Sequence, residues 1–206
     1  MTAIIFDMDG TIADSFDYVS EFLVREAGQA PLTADQKQAL RGMSMGAMAR
    51  RLGYHWWDAP YLFFKGRQRM KRTIGQIDAF AGMPEMIRKL HAEGHELFIL
   101  STNSLSNVRH FLHSHKIHQY FLDIYGGVGV FSKASALKRL LREHTLDLKY
   151  AVYVGDEQRD VEAAQSIGLR VIAVTWGFAR RDDLVDLKPS GLADTPAQLT
   201  SILENL

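Results

Sequence analysis

The sequence predicts an α/β protein: a Rossmann-like three-layer core around a parallel sheet, with a small all-α domain inserted into it. Short apolar runs rich in β-branched and aromatic residues alternate with stretches of helical periodicity. That alternation is the signature of a buried parallel sheet covered by helices on both faces. Between about residues 15 and 79 it stops, and only helical patterns remain.

Strands are expected at residues 3–6, 96–100, 121–125, 151–154 and 171–174, and core helices at 84–93, 105–115, 132–144 and 159–167. The first of these helices carries Pro84 in its opening turn, Met86, Ile87 and Leu90 on one face, and Gly94 as its stop. Right-handed crossovers then bring the strand ends to a common edge, where α/β proteins bind ligands. In the interrupting stretch, helices are expected at 16–27, 34–40, 45–52 and 57–74, separated by Gly28, Pro31, Gly42 and Gly53. The chain therefore divides into a core of residues 1–14 and 80–206 and a helical cap of residues 15–79. The cap leaves and re-enters above the first strand, which places it over that strand's end.

The 24 basic and 24 acidic residues balance, so no global field favours nucleic acid or an anionic membrane. The absence of cysteine excludes a disulfide framework, a thiolate nucleophile and Cys-ligated zinc. No apolar run approaches the ~20 residues of a membrane span, and the first strand begins too early for a signal core. These features point to a soluble cytoplasmic protein of 206 residues, enough to bury a sizeable core. They do not commit it to an oligomeric state.

Chemistry concentrates where strands end. Ile4, Ile5 and Phe6 deliver Asp7 and Asp9, followed at once by Gly10 and Thr11. Two carboxylates this close repel, and a site relieves that with a cation or a shared proton. A second acidic group, Asp156, Glu157 and Asp160, follows the apolar run that ends at Val154, with Gly155 allowing a tight turn. Helix capping by acids is the plain alternative for this group. Asp7 and Asp156, with the backbone carbonyl of Asp9, would suit Mg²⁺, which takes oxygen ligands and keeps several waters. Ser101, Thr102 and Asn103 end another strand with groups suited to phosphoryl oxygens, although they could equally cap the next helix. Lys133 follows Phe131 and Ser132 at a helix start, where a lysine opposes the helix dipole. Together these groups make a complete phosphoryl-transfer site.

In their order and chemistry these motifs resemble the haloacid dehalogenase-like hydrolase superfamily, in its phosphoglycolate phosphatase-like branch with a helical cap. Asp7-Met8-Asp9-Gly10-Thr11 is similar to the nucleophile motif, Ser101 to the second-strand hydroxyl, Lys133 to the family lysine, and Gly155-Asp156 with Asp160 to the acidic motif. Val174-Thr175-Trp176-Gly177-Phe178 is similar to the same branch. The resemblance implies that Asp7 attacks phosphorus to form an aspartyl-phosphate, and that Asp9 protonates the leaving alcohol and then activates water. It implies phosphate contacts from Thr11, Ser101, Thr102, Asn103 and Lys133, and Mg²⁺ held by Asp7, Asp9 and Asp156. Asp160 would orient Lys133 or a metal-bound water. Glu157 stands where many relatives carry a small hydroxyl residue and would contact a metal-bound water.

Dehalogenases resemble this pattern without the second aspartate, so Asp9 favours phosphate ester hydrolysis. The expected substrate is a small phosphorylated metabolite, phosphoglycolate-like or a sugar phosphate. A phosphosugar mutase of the same family is the alternative, and a catalytically silent binding protein on the same scaffold ranks below it. Specificity is expected in the cap, with Arg41, Met43 and Ser44 as candidates. Tyr54–Trp57 and Tyr61–Phe64 are expected mainly as cap core, and the basic run from Lys65 to Arg72 as a solvated helix face. His110, His113, His115 and His118 are read as surface residues rather than a zinc site.

Overall fold

A single parallel sheet runs through the centre of the computed structural model, which describes residues 2–43, 45–129 and 132–205. Its strands are β1 (Ala3–Phe6), β2 (Glu96–Leu100), β3 (Phe121–Tyr125), β4 (Ala151–Gly155), β5 (Arg170–Val174) and β6 (Gly191–Ala193), in the spatial order β3-β2-β1-β4-β5-β6. The chain works outward from β1 through β2 to β3, then returns to the other side of β1 with β4. That reversal opens a crevice at the C-terminal ends of β1 and β4, where this class of sheet binds ligands. Asp7 and Asp156 follow those two strands directly.

Every residue of β1 is buried, as period-2 alternation between two covered faces requires. Ile4 and Phe6 face a cluster with α5 (Met83–Ala92), α6 (Leu105–Ser114) and α10 (Pro196–Glu204). Ala3 and Ile5 face another, built on α7 (Lys133–Glu143), α8 (Gln158–Gln165) and α9 (Arg181–Asp186). β6, α9 and α10 lie beyond the elements expected from periodicity. The first two, of three and six residues, are too short to show a period.

Between β1 and α5 lie four helices: α1 (Phe16–Glu26), α2 (Ala34–Leu40), α3 (Met45–Arg51) and α4 (Ala59–Met70). The two chain segments that join this insertion to the sheet run side by side. Asp14 N–H donates to the Asp78 carbonyl and Phe80 N–H to that of Ile12, both at 2.9 Å.

Residues 57–74, expected as one helix, divide into a 3₁₀ turn at Trp56–Asp58, α4, and a second turn at Ile74–Gln76. The aromatics of the insertion also depart from expectation. Trp56, Trp57, Tyr61 and Phe64 are all more than half exposed. For Tyr61 and Phe64 the reason is helical phase: Leu62, Gly66 and Met70, four apart, form the inner face of α4, so 61 and 64 fall outside, while Trp56 and Trp57 stand on the 3₁₀ turn before it. Gly66 lets Phe22 of α1 approach, since a Cβ there would stand 3.2 Å from its ring.

Candidate active site

Asp7 sits where β1 leaves the sheet, held by its own N–H donating to the Val154 carbonyl at 2.8 Å. The chain then folds back tightly: the Met8 carbonyl accepts from the N–H groups of Thr11, Ile12 and Ala13. Gly10 makes this turn at φ +83°, and a Cβ there would overlap Asp156 Oδ2 and come within 2.5 Å of Phe178 Cδ2. Gly10→Ala combines a left-handed alanine with overpacking and is expected to cost about 2–4 kcal/mol. It should lower the melting temperature by at least about 5 °C in a thermal unfolding experiment and displace Asp156. A variant that melts with the wild type would overturn this account of the turn.

Lys133, the first residue of α7, is 2 % exposed and spans the site. Its ammonium donates to Asp7 Oδ2 at 2.7 Å and to Asp160 Oδ1, and reaches the Tyr153 hydroxyl at 3.3 Å. These two carboxylates account for a lysine at a helix start. Burial alone would lower its pKa, but Asp160 and Asp7 raise it further, so it stays protonated. Asp160 also accepts from Glu157 N–H at 3.0 Å, so the capping reading and the site reading both hold for this side chain.

Asp156 is fully buried between two donors, the Thr11 hydroxyl at 2.9 Å and the Phe178 N–H at 2.8 Å. Thr11 is thus turned onto a carboxylate. Burial drives the Asp156 pKa well above its ordinary value, with Glu157, Asp160 and Asp7 adding repulsion. Asp7 is pushed up to about 7, by burial first, with Lys133 opposing. Glu157 is paired with Arg159.

Among the described residues, Asp7, Asp156 and Asp160 form the group whose carboxylate oxygens lie within 4.8 Å of one another. Together with Glu157 they set four buried carboxylates against the two cations Lys133 and Arg159. Fully ionised, the four acids would exceed those cations by two charges, which burial resists without a further cation, and all the converging donors are hard oxygens. This set fits one divalent cation such as Mg²⁺.

Ser101, Thr102 and Asn103 are all buried at the end of β2. The Ser101 hydroxyl accepts from Asn103 N–H at 3.0 Å. The Asn103 amide donates to Asp9 Oδ2 at 3.0 Å, so Asp9 faces a different neighbour from Asp7. Burial raises the Asp9 pKa, and Asn103 partly offsets it. A small network ties this corner to α4. The Asn107 amide donates to Asn103 Oδ1 at 2.9 Å and to the Arg67 carbonyl at 3.1 Å, while the Arg67 guanidinium donates to the Thr102 carbonyl. Arg67 therefore leaves the solvated basic face expected of its neighbours.

A cavity of about 380 Å³ opens beside Asp9, walled by α1, α3 and α4. Arg41 and Met43 are not part of its lining. The Arg41 guanidinium stacks 4.5 Å from the centre of the Phe16 ring, 3.6 Å from Asp17, and Met43 packs on the core. Gly42 between them bridges to Ala179, next to Phe178. Ser44 and Phe131 lie outside the described residues. His110, His113 and His118 are exposed, with the rings of His113 and His118 stacked 3.8 Å apart, and His115 is hydrogen-bonded to the Ile77 carbonyl at 2.8 Å.

Tyr153, Asn107, Arg67 and Phe178 escaped the reading of the sequence as site residues. A tyrosine inside an otherwise aliphatic strand was a usable signal, because a buried hydroxyl needs a partner. Phe178 acts through its backbone and carries no side-chain signal.

Comparison with known proteins shows the family and the fold. A family model described as haloacid dehalogenase-like hydrolase matches residues 4–174. Phosphoglycolate phosphatase of Synechococcus elongatus is 34% identical over 209 residues, spanning 100% of this chain and 99% of that protein. Two solved structures share the fold. A predicted phosphatase from Clostridium acetobutylicum has a TM-score of 0.82 at 18% identity, covering 100% of this chain and 99% of its own. A haloacid dehalogenase-like hydrolase from Streptococcus pneumoniae has a TM-score of 0.79 at 24% identity, covering 98% of each chain.

Proposed function

Because this chain belongs to the haloacid dehalogenase-like hydrolases, and is a phosphoric monoester hydrolase, we propose that it is a Mg²⁺-dependent phosphatase of a small phosphorylated metabolite. The observation that carries this reading is Lys133 bridging Asp7 and Asp160 beside the converging carboxylate oxygens of Asp7, Asp156 and Asp160. Phosphoglycolate is the first substrate to try, from the name of the 34% identical relative.

Asp7 is the nucleophile: its free carboxylate oxygen attacks phosphorus, the ester P–O bond breaks, and an aspartyl-phosphate forms. Lys133 opposes the burial that raises the Asp7 pKa and so favours its ionised form, and with Ser101 it offsets charge on the phosphoryl oxygens. Asp9, its pKa raised by burial, holds the proton that passes to the leaving alcohol oxygen. It then takes a proton from the water that opens the acyl phosphate. Asp7, Asp156 and Asp160 would hold Mg²⁺, which supplies further positive charge to the phosphoryl group. The helices between residues 15 and 79 act as the cap, which excludes water and contacts the leaving group.

The assay is phosphate release from phosphoglycolate and a panel of sugar phosphates, with Mg²⁺ and with chelator. Isomerised sugar phosphate without phosphate release would replace hydrolysis by mutase chemistry. A second expected result concerns stability. Asp7 rises from 3.8 to about 7 on folding, so the native protein holds a proton that the unfolded chain has released across that window. Metal-free stability therefore falls as pH rises from about 4 to 7. Mg²⁺ needs those carboxylates ionised, so saturating metal should raise the melting temperature by about 5–10 °C at pH 8 and by much less at pH 5. A shift of equal size at both pH values would remove the carboxylate cluster as the metal site.

A further inference from the structure

The cavity beside Asp9 carries more information than its position. Packed protein interiors leave few voids larger than a water molecule. A space of about 380 Å³ holds roughly a dozen waters and falls in the range of pockets that enclose small organic ligands. It touches Asp9, the acid assigned to the leaving oxygen, and not Asp7 or Lys133. It is thus on the leaving-group side of the reacting bond.

Its walls are apolar. Val19 and Phe22 of α1, Ala49 of α3, and Leu62 and Met70 of α4 are among the residues that form them. Three arginines also reach the cavity, and two are engaged elsewhere: Arg67 donates to the Thr102 carbonyl and Arg159 pairs with Glu157. Arg50 is exposed at the solvent side. A glycolate group would fill little of this space.

We infer that the cavity selects phosphate monoesters whose alcohol carries an apolar body about the size of a phenyl ring. This rests on the phosphatase reading and narrows its substrate class. The phosphoryl group is held by the site at the strand ends, and the apolar body lies between α1, α3 and α4, with its ester oxygen at Asp9.

The test compares ethyl phosphate, 2-phenylethyl phosphate and phosphoglycolate with Mg²⁺ present. All three are primary alkyl esters, so the comparison reads mainly binding of the alcohol part. Burying a phenyl-sized group should raise kcat/KM for 2-phenylethyl phosphate over ethyl phosphate by about 10- to 100-fold. Ala49→Phe fills the cavity from α3 and should collapse that ratio to within about threefold. Binding of the matching non-hydrolysable phosphonates, measured calorimetrically on the wild-type protein, should show the same preference without turnover. A wild-type ratio near one, or phosphoglycolate as the fastest substrate, would overturn the inference and leave the phosphatase reading standing. Absence of phosphate release from all three esters would instead sink the phosphatase reading, and the inference with it.

Discussion

Asp7→Asn is expected to reduce Mg²⁺-dependent phosphate release by at least about 10⁴-fold, the scale on which losing a covalent nucleophile is felt. The fold should survive. Asparagine occupies nearly the same volume, and Lys133 keeps Asp160 as its counter-ion. The substitution also removes a carboxylate whose ionisation burial opposes. Without metal at pH 8, the variant should therefore melt at or above the wild-type temperature. Activity and stability then move in opposite directions, which a simple folding defect would not produce. Phosphate release at wild-type rates from the purified variant would exclude Asp7 as the nucleophile.

Lys133→Met should do the reverse to stability. Its ammonium is 2 % exposed and is shared by Asp7 and Asp160. Removing one member of a buried charge network typically costs about 3–5 kcal/mol, because the remaining charges lose their compensation. For a chain of this length that corresponds to a fall of about 10 °C in melting temperature. The sign of the pH dependence follows from Asp7, whose pKa burial already raises to about 7 against the opposing pull of Lys133. Without Lys133 it rises further above the unfolded value, so the native state holds a proton that the unfolded chain has released at neutral pH. The variant's deficit is then largest above pH 7 and shrinks towards pH 4–5, where Asp7 is neutral in the native state and increasingly so in the unfolded chain. Thermal unfolding at pH 7.5 and pH 5 checks this, and a deficit independent of pH would mean that Lys133 acts through packing alone. Phosphate release should be lost in parallel, since Asp7 loses the group that favours its ionised form.

Much of this site was legible because its parts are local. Asp7 and Asp9 announce themselves within one turn of a buried strand's end, and Asp156, Glu157 and Asp160 within another. Of the helices that flank the sheet, α5, α6 and α7 show their period over ten residues or more. Legibility failed where local chemistry was ambiguous. Thr11 looks like a phosphate-binding hydroxyl, and the structure turns it onto Asp156. Tyr61 and Phe64 look like core, yet α4 turns Leu62, Gly66 and Met70 inward and leaves the two rings outside. The specificity candidates Arg41 and Met43 lie on a glycine turn, while the cavity forms between α1, α3 and α4.

Residues close along the chain were enough to settle the strands up to β5 and most of the helices, the two acidic strand ends and the helical insertion, because each is a local pattern. Which groups face one another is a matter of long-range packing. Lys133 lies 126 positions from Asp7 and 27 from Asp160, and Thr11 lies 145 from Asp156. Those pairs exist because the sheet order sets β1 beside β4 and the crossover brings the start of α7 to their ends. The cavity beside Asp9 is likewise a product of packing. No single helix encodes it, since its volume is what three helices leave between their inner faces.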